Sequence, residues 1–345
     1  MQLQELLGTV LPIVQAPMAG VQGAELALAV CAAGALGSLP CAMLAPDAMR
    51  EQLLQVRARS GAVVNVNFFC HQPPVPDAAR EAAWRASLAP YYREFGIGAD
   101  VLTSGPTRAP FGAQAADLLA EFKPAVVSFH FGLPAPELLA RVRGWGAKVM
   151  SSATTVEEAM WLEAQGVDVI IAQGLEAGGH RGMFLSPDLS AHLGTMALVP
   201  QIVRKVRRPV IAAGGIADAR GVAAAMALGA AGVQVGTAYL LCPEASTSAV
   251  HRAALASAAA RHTALTNLFS GRPARSIVNR LMRERGPIGA DVPAFPLAGM
   301  AVGPLRESAE RRGSGDFSPL WSGQNASGCR EIPAAELTRE LATGL

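Results

Sequence analysis

The sequence has almost no excess charge and no long apolar run, and these absences exclude whole classes of protein. Lys and Arg total 29 against 27 Asp and Glu, a net charge of +2 at pH 7, which does not favour binding to nucleic acid or to an anionic membrane. No uninterrupted apolar run reaches the roughly 18 residues of a membrane span. The amino terminus lacks the basic start, apolar run and cleavage site of a signal peptide. We expect a cytoplasmic protein that acts on small molecules.

Paired cysteines and a dinucleotide fingerprint are also missing. The five cysteines are scattered and never spaced as Cys-x-x-Cys; they are Cys31, Cys41, Cys70, Cys242 and Cys329. This pattern is typical of reduced, buried cysteines and disfavours a disulfide framework or a metal site. No Gly-x-Gly-x-x-Gly follows the first predicted strand, so the sequence does not indicate a dinucleotide-binding sheet.

What the sequence does contain is a regular alternation of short apolar strands with helices. With 51% hydrophobic residues over 345 positions, the chain can bury a large core. The alternation indicates right-handed βαβ units, and eight units closing on themselves make an α/β fold, the (β/α)8 TIM barrel. A doubly wound open sheet is the competing fold, but it rarely needs eight successive parallel strands. We predict the barrel over residues 1–262, with strands within 12–20, 35–39, 63–69, 125–132, 148–153, 168–173, 209–216 and 232–237. For two of its helices we predict the start, a capping box of Thr155 with Glu158 and an Asp218 cap on the alanine-rich helix to Gly229.

Two segments depart from the alternation. Residues 73–110, after the third predicted strand, contain several prolines and aromatic residues, and we predict an excursion over one end of the barrel. One helix is predicted from about 246 to about 262. Residues 263–345 are rich in Gly, Pro, Arg and Ser but keep aromatic residues, so we expect this C-terminal segment to pack across the barrel mouth.

The active site is predicted where the sixth strand ends. That strand is apolar and β-branched, as in a sheet buried on both faces, and Gln173, Glu176 and His180 follow it in a glycine-rich turn. Glycines such as Gly178 and Gly179 let the backbone adopt positive φ and approach a flat ligand closely. Because α/β proteins place their chemistry at the carboxyl ends of parallel strands, we predict the site here.

Glycines at two further strand ends predict a phosphate site. Gly214 and Gly215 follow the seventh predicted strand, and Gln234, Gly236 and Thr237 lie at the end of the eighth. In barrels these two loops and a helix N-terminus build the usual phosphate cradle, in which backbone N–H groups bind the anion. Each glycine alone would fit a tight turn, but the pair at consecutive strand ends favours phosphate binding.

Amides and an apolar side chain indicate a flavin ring beside that phosphate. Asn67 and Gln173 both end strands, and a primary amide offers the donor and the acceptor that the edge of an isoalloxazine needs. Pro17 and Met18 supply an apolar surface for one ring face. Met18 as ordinary core filler is the alternative interpretation.

Two histidines are candidate acid–base groups. His180 lies in the glycine turn beside Glu176, and His130 alternates with aromatic residues near the carboxyl end of the fourth predicted strand. A lone histidine is more often structural than catalytic, and His130 is the weaker candidate. The remaining histidines have no such context; they are His71, His192, His251 and His262.

Seven short motifs span nearly the whole chain. They are Gln15–Gly20, Asn65–Phe69, Ser128–Gly132, Gln173–His180, Ala213–Ile216, Gln234–Thr237 and Leu320–Gln324. The Gln-Gly-x-Glu-Ala-Gly-Gly-His string of the fourth motif is specific, whereas Ala-Gly-Gly-Ile alone is not. Together, in this order, the motifs resemble those of the flavin-dependent nitronate monooxygenases, formerly called 2-nitropropane dioxygenases.

The resemblance implies an FMN-containing barrel that oxidises alkyl nitronates of the propionate 3-nitronate type. The oxidant is O₂, the products are a carbonyl compound and nitrite, and no metal takes part. The substrate is a small nitronate or nitroalkane, and the sequence is compatible with a homo-oligomer. Carried over by motif, the catalytic residues are His180 and His130. The implied FMN-binding residues are Ala16, Pro17, Met18, Asn67, Gln173, Gly178, Gly179, Gly214, Gly215, Gln234, Gly236 and Thr237.

The sequence departs from the family near the substrate. Members commonly carry tyrosines near the segment that corresponds to Phe295–Gly299, whereas Phe295 and Gly299 offer no hydroxyl. This departure concerns the substrate more than the flavin, and we assign Phe295 and Gln324 to the substrate pocket. A flavin-dependent NADH:quinone or enoyl reductase on the same barrel is the alternative function. A phosphate-ligand barrel without redox chemistry is a third.

Overall fold

The central feature is a sheet of eight parallel strands with helices between them. The computed structural model describes residues 2–59, 61–98, 101 and 108–345. A two-residue strand, β7 (Gly179–His180), belongs to a second, smaller sheet. The strands of the main sheet are β1 (Ile13–Gln15), β2 (Gly37–Pro40), β3 (Val64–Phe69), β4 (Val126–His130), β5 (Lys148–Ala153), β6 (Val169–Gln173), β8 (Val210–Ala213) and β9 (Gly232–Val235).

Helices connect most of these strands and extend the chain beyond them. Among the described residues, no helix combines the length and the apolar character that crossing a membrane requires. The helices are α1 (Leu3–Leu7), α2 (Ala24–Ala32), α3 (Pro46–Arg57), α4 (Ala78–Ser87), α5 (Ala89–Phe95), α6 (Ala113–Phe122), α7 (Pro136–Gly144), α8 (Val156–Ala164), α9 (Thr195–Val203), α10 (Ala219–Ala227), α11 (Ala249–Ala256), α12 (Arg280–Arg285), α13 (Gly299–Arg311) and α14 (Ala334–Ala342).

The strand order shows that the sheet closes on itself. Neighbouring strands follow the order β1-β9-β8-β6-β5-β4-β3-β2, and every pair is parallel. The remaining gap is bridged by Leu36, whose N–H donates to the Ile13 carbonyl and whose carbonyl accepts from the Gln15 N–H, both at 2.9 Å. The predicted (β/α)8 TIM barrel is therefore confirmed.

Apolar side chains fill one end of the barrel interior, so the barrel is a packed core and not a channel. Alternate residues of the strands point inward, as the two-residue period of a strand requires. Leu3 and Leu7 of α1 pack against the same inner cluster. The strand residues of that cluster are Val14, Val126, Met150, Val169, Ile171, Ile211 and Ala213, with Leu36 just before β2. This cluster fills the end of the barrel next to α1, and the carboxyl ends of the strands remain available for chemistry.

Side-chain caps start several barrel helices. The Asp218 carboxylate accepts the N–H of Gly221 at 2.8 Å and caps α10, as predicted. The Thr155 hydroxyl likewise caps α8 by accepting the N–H of Glu158 at 3.2 Å. The expected reciprocal bond of a capping box is replaced, because the buried Glu158 carboxylate accepts the N–H of Thr154 and of Phe184 instead.

The excursion after β3 and the C-terminal segment pack together in one apolar cluster. Trp84 of α4 and Tyr92 of α5 pack with Leu281 and Leu305 of the C-terminal segment, among others. The Trp84 Nε1–H donates to the Ala298 carbonyl at 3.1 Å. The part of the predicted excursion at residues 99–100 and 102–107 lies outside the described residues.

The helix predicted from about 246 to about 262 is wrong in length. The α-helix α11 ends at Ala256, and a 3-10 turn at Ala258–Arg261 follows. The Ser257 hydroxyl accepts the N–H of Ala259, a local bond that starts the new turn. Two antiparallel strands follow, β10 (Thr263–Thr266) and β11 (Ala274–Ile277), and β11 also pairs with β7.

Removing the side chain of Trp84 tests how firmly the excursion is attached. Trp84 is 1% exposed, so Trp84→Ala leaves a large cavity, and we expect the free energy of unfolding to fall by about 3–5 kcal/mol. Urea unfolding measures the change. Val75→Ala is the control, because Val75 is 86% exposed. A loss below about 1 kcal/mol for Trp84→Ala would show that α4 is attached by other contacts.

Candidate active site

Two strand-end amides hold the walls of the site together. At the end of β6, Gln173 donates from Nε2 to the His180 carbonyl at 3.0 Å and accepts the Gly182 N–H at 2.8 Å. Within β3, Asn67 donates from Nδ2 to the Ser128 hydroxyl at 2.9 Å. Both amides were predicted to face a flavin ring, and both also hold neighbouring backbone or strands in place. The Gln173 bonds fix the segment that carries His180.

His180 lies in β7, and its imidazole has one hydrogen-bond partner among the described residues. Its Nε2 lies 2.9 Å from the Ser270 hydroxyl. That hydroxyl also lies 3.2 Å from the Arg272 carbonyl, which can only accept; with the hydroxyl hydrogen on that carbonyl, the Nε2–H of His180 is the donor to Ser270. In this tautomer Nδ1 carries the lone pair, and the described part of the chain offers it no hydrogen bond. The ring presents a basic nitrogen to a ligand.

His130 supports His180 through the backbone. Its Nε2 lies 3.2 Å from the His180 carbonyl oxygen, which can only accept, so Nε2 carries the hydrogen. Its Nδ1 then accepts the Ser152 hydroxyl at 2.5 Å. Both ring nitrogens are used, and burial lowers the pKa of His130 to about 3. The ring is neutral at physiological pH and holds the backbone of His180 in place.

The electrostatic environment keeps the site histidines uncharged. Burial is the largest cause that lowers the pKa of His180 well below its usual 6.5, and the positive charges of Arg108 and Arg272 lower it further. The same causes lower the pKa of His71 to about 4. At pH 7 these imidazoles are therefore neutral, which suits a base and not a permanent positive charge.

An aromatic wall faces His180. The Phe295 ring lies 5.3 Å from the His180 ring and 5.6 Å from Phe131. Phe69 completes the wall at 5.0 Å from Phe131. The sequence had singled out Phe295 at this point, whereas His71 was judged to lack context. The His71 ring is 4.8 Å from the Phe295 ring. The position of His71, two residues after β3, was the sequence signal that could have placed it at the site.

The glycine loops of β8 and β9 meet the C-terminal segment. Thr237 accepts the Gly323 N–H at 2.9 Å, and the Asn325 amide donates to the Gly215 carbonyl at 3.0 Å. Gln324 is exposed, and its N–H donates to the Glu176 carbonyl at 2.9 Å. Gln324, expected in the substrate pocket, therefore reaches these loops through its backbone.

Several backbone positions near these loops have no room for a side chain. A Cβ on Gly178 would lie 2.6 Å from the Gly323 nitrogen, and one on Gly236 would lie 3.2 Å from Ala16 Cβ and 3.6 Å from Met18 Sδ. Gly214 and Gly215 both have positive φ, +120° and +73°. The predicted segments around residues 16–18, 178–179, 214–215 and 236–237 thus converge.

Glu176, which the sequence places in the glycine-rich turn of the predicted site, has a structural role. Its carboxylate accepts the N–H and the hydroxyl of Thr195, each at 2.8 Å, at the first residue of α9. Its Cβ would be 3.3 Å from a Cβ on Gly215. Glu176 thus joins α9 to the β8 loop. This structural role could not be predicted from the residues next to Glu176 in the sequence.

A closed parallel barrel with histidines, amides and glycine loops at its strand ends defines an enzyme of the TIM-barrel class. The family model for nitronate monooxygenase matches residues 1–344. A nitronate monooxygenase of Pseudomonas aeruginosa is 44% identical, over 97% of this chain and 96% of that protein. The chain belongs to the nitronate monooxygenase family, as the motifs predict, and is a flavin-dependent oxidoreductase.

Solved structures agree with this assignment. Nitroalkane oxidase from Streptomyces ansochromogenes superposes with a TM-score of 0.89 at 38% identity, covering 99% of this chain and 97% of that one. FabK from Thermotoga maritima superposes with a TM-score of 0.70 at 26% identity, covering 99% and 94%. Both matches extend over the barrel and the C-terminal segment.

The residues present fit a flavin. The Gln234 Oε1 is buried and, among the described residues, has no hydrogen-bond donor, which leaves an acceptor for a ligand N–H. Met18, half-buried, lies beside Gly236 where an apolar ring face would be covered. Gly214 and Gly215, both with positive φ, form the loop that is predicted from the sequence to bind the phosphate. A group with polar edges and an apolar face satisfies these positions together.

Proposed function

We propose that the protein binds FMN without a covalent bond and oxidises alkyl nitronates with O₂ to a carbonyl compound and nitrite. The phosphate binds at Gly214–Gly215 and Gly236–Thr237, and the ring extends past Met18 towards His180. A chain of contacts supports this path, because Gln173 holds His180 while Gly178 packs against Gly323, which bonds to Thr237.

The single observation that carries the reaction is a neutral imidazole with a free basic nitrogen facing an apolar wall. Ser270 takes the Nε2–H of His180, so Nδ1 is available to a substrate. A neutral nitroalkane must lose a carbon-bound proton, and His180 accepts it at Nδ1. A preformed nitronate needs no base, and there the imidazole only orients the bound anion. When bound, FMN supplies the one-electron chemistry that the nitronate and O₂ require.

The other residues of the site position these groups. His130 and Gln173 both donate to the His180 carbonyl, at 3.2 and 3.0 Å, and so fix the ring against the wall. We assign His130 a positioning role, because its own nitrogens are both engaged. Phe295 and Phe131 surround the reacting end with apolar surface and favour small alkyl groups.

Oxygen uptake with a panel of preformed nitronates tests the proposal. We expect nitronate-dependent O₂ uptake with release of nitrite, and yellow FMN in the supernatant after acid precipitation. Anaerobic addition of a nitronate should bleach the flavin, whereas NADH should bleach it slowly or not at all. Rapid bleaching by NADH without nitronate turnover would instead establish a reductase. A colourless protein would favour the phosphate-ligand barrel without redox chemistry.

A further inference from the structure

Two guanidinium groups cover the aromatic wall beside His180. The Arg272 guanidinium carbon lies 4.1 Å from the centre of the Phe131 ring, and that of Arg108 lies 5.6 Å from the centre of the Phe295 ring. Those two rings are themselves 5.6 Å apart. The wall that faces the substrate is therefore bordered by two positive charges from distant parts of the chain.

Neither guanidinium group has its hydrogen bonds satisfied. Nη1 of Arg108 and Nε of Arg272 are buried, and no acceptor for either exists in the described part of the chain. Arg272 donates from Nη2 to the Met183 carbonyl. Glu158, the acidic residue whose charge acts on Arg272, is already bonded to the N–H of Phe184 and to other donors. An unpaired buried donor on a cation is costly, so this arrangement calls for an anion.

Other arginines nearby show the contrast. Arg181 donates to the carbonyls of Gly174 and Gln173 at 2.6 and 2.8 Å, and its Nε donates to His192. Arg275 donates to the Leu175 carbonyl at 2.8 Å. These side chains are structural, and their donors are used by the protein itself.

Arg108 and Arg272 together create a positive electrostatic potential at the aromatic wall. Arg108 and Arg272 both lower the pKa of His180 and of His71, after burial, which is the larger cause. Burial also lowers the pKa of the Arg272 guanidinium to about 10. A potential of this sign disfavours protonated histidines and favours a bound anion.

We propose that Arg108 and Arg272 form an anion clamp that binds a planar two-oxygen anion, either the nitronate group or a carboxylate of the substrate. The planar donor fork of a guanidinium matches two oxygens of such a group. The clamp is then a determinant of specificity that selects charged over neutral substrates. Only the identity of the anion that is turned over depends on the proposed function; the clamp itself does not.

Equilibrium binding of anions that do not react tests the clamp apart from turnover. Propionate and nitrite are titrated into the holoenzyme by isothermal calorimetry, with Arg108→Met and Arg272→Met as variants. Methionine keeps apolar cover on the rings but removes the charge. Arg272→Lys restores the charge without the fork. Arg207→Met, at an exposed arginine before β8, is the matched control.

We expect each methionine variant to bind propionate about 10–100-fold more weakly, as for the loss of a charge-assisted hydrogen bond. Arg272→Lys should recover part of the affinity, and Arg207→Met should match the parent. Unchanged binding in both folded, flavin-loaded methionine variants would overturn the clamp. Propionate that binds through the arginines in a protein without nitronate activity would uphold the clamp and refute the proposed function.

Steady-state kinetics then identify which oxygens the clamp holds. Propyl-1-nitronate carries one negative charge, whereas propionate 3-nitronate carries a second, on its carboxylate. A loss in kcat/KM confined to the second substrate assigns the clamp to the carboxylate. An equal loss for both assigns it to the nitronate group. Unchanged kcat/KM for both, in variants that turn over, would overturn the clamp as a specificity determinant.

Discussion

A Gly215→Val variant is expected to be purified without flavin. Gly215 has φ of +73°, and a Cβ there would lie 3.3 Å from Glu176 Cβ, so the new side chain must displace the loop or the glutamate beneath it. Either movement withdraws the backbone N–H groups that the proposal assigns to the phosphate. We expect the Kd for the flavin to rise at least about 10-fold, as a loss of about 1.4 kcal/mol in binding requires, and the flavin content of the purified protein, read from the ratio of visible to ultraviolet absorbance, to fall.

Backbone strain alone must be separated from loss of the phosphate site. Gly313 has the same φ of +73°, and its Cβ position meets nothing within 4 Å. Gly313→Val therefore carries the same cost of a β-branched residue in the left-handed region, of order 1–2 kcal/mol, far from the site. We expect it to lose stability but keep its flavin. Full flavin content in Gly215→Val would show that the phosphate binds elsewhere.

A His180→Asn variant is expected to keep flavin and lose most turnover of neutral nitroalkanes. The imidazole is the proposed base, and general base catalysis typically contributes about 10²–10⁴-fold. Asparagine retains the backbone carbonyl that accepts from Gln173 and His130, so the fold of β7 is preserved. Turnover of preformed nitronate, which needs no base, should fall much less. The ratio of kcat/KM for the two substrate forms is the measurement.

The pH dependence of the activity tests independently whether His180 is the base. Burial and the two arginines lower the pKa of His180 well below 6.5, so the base is deprotonated and active throughout the neutral range. Activity with a neutral nitroalkane should therefore remain flat as pH falls through 6.5 and decline only lower, at the depressed pKa. Equal activity of His180→Asn and the parent on both substrate forms would make His180 structural.

Local sequence patterns were sufficient for the barrel and for part of the site. Strands such as β6 are short apolar runs that end at a polar residue, and this pattern persists because both faces are buried. The glycine loops could be identified because only glycine adopts their backbone angles easily. Asp218 was recognisable as a cap from its position before an alanine-rich helix. Each of these features is decided within about ten residues.

The remainder of the site depends on contacts between distant segments. His71 has no local context, and its place beside Phe295 exists only because the C-terminal segment returns to the barrel. Arg272 carries no motif that marks it as unpaired. The capping box expected at Thr155 failed because Phe184 offers its N–H to Glu158. None of these partners can be recognised from the residues adjacent in sequence.

The bonds that Gly323 and Asn325 make to the β8 and β9 loops also have a consequence for the order of events during synthesis. A ribosome completes the eight barrel strands long before it reaches residue 323, so the nascent barrel lacks the donors to Thr237 and Gly215. The β8 and β9 loops therefore reach their final contacts only when the chain is nearly finished, and a cell that interrupts synthesis before residue 323 is left with a barrel whose loops at these two strand ends are open.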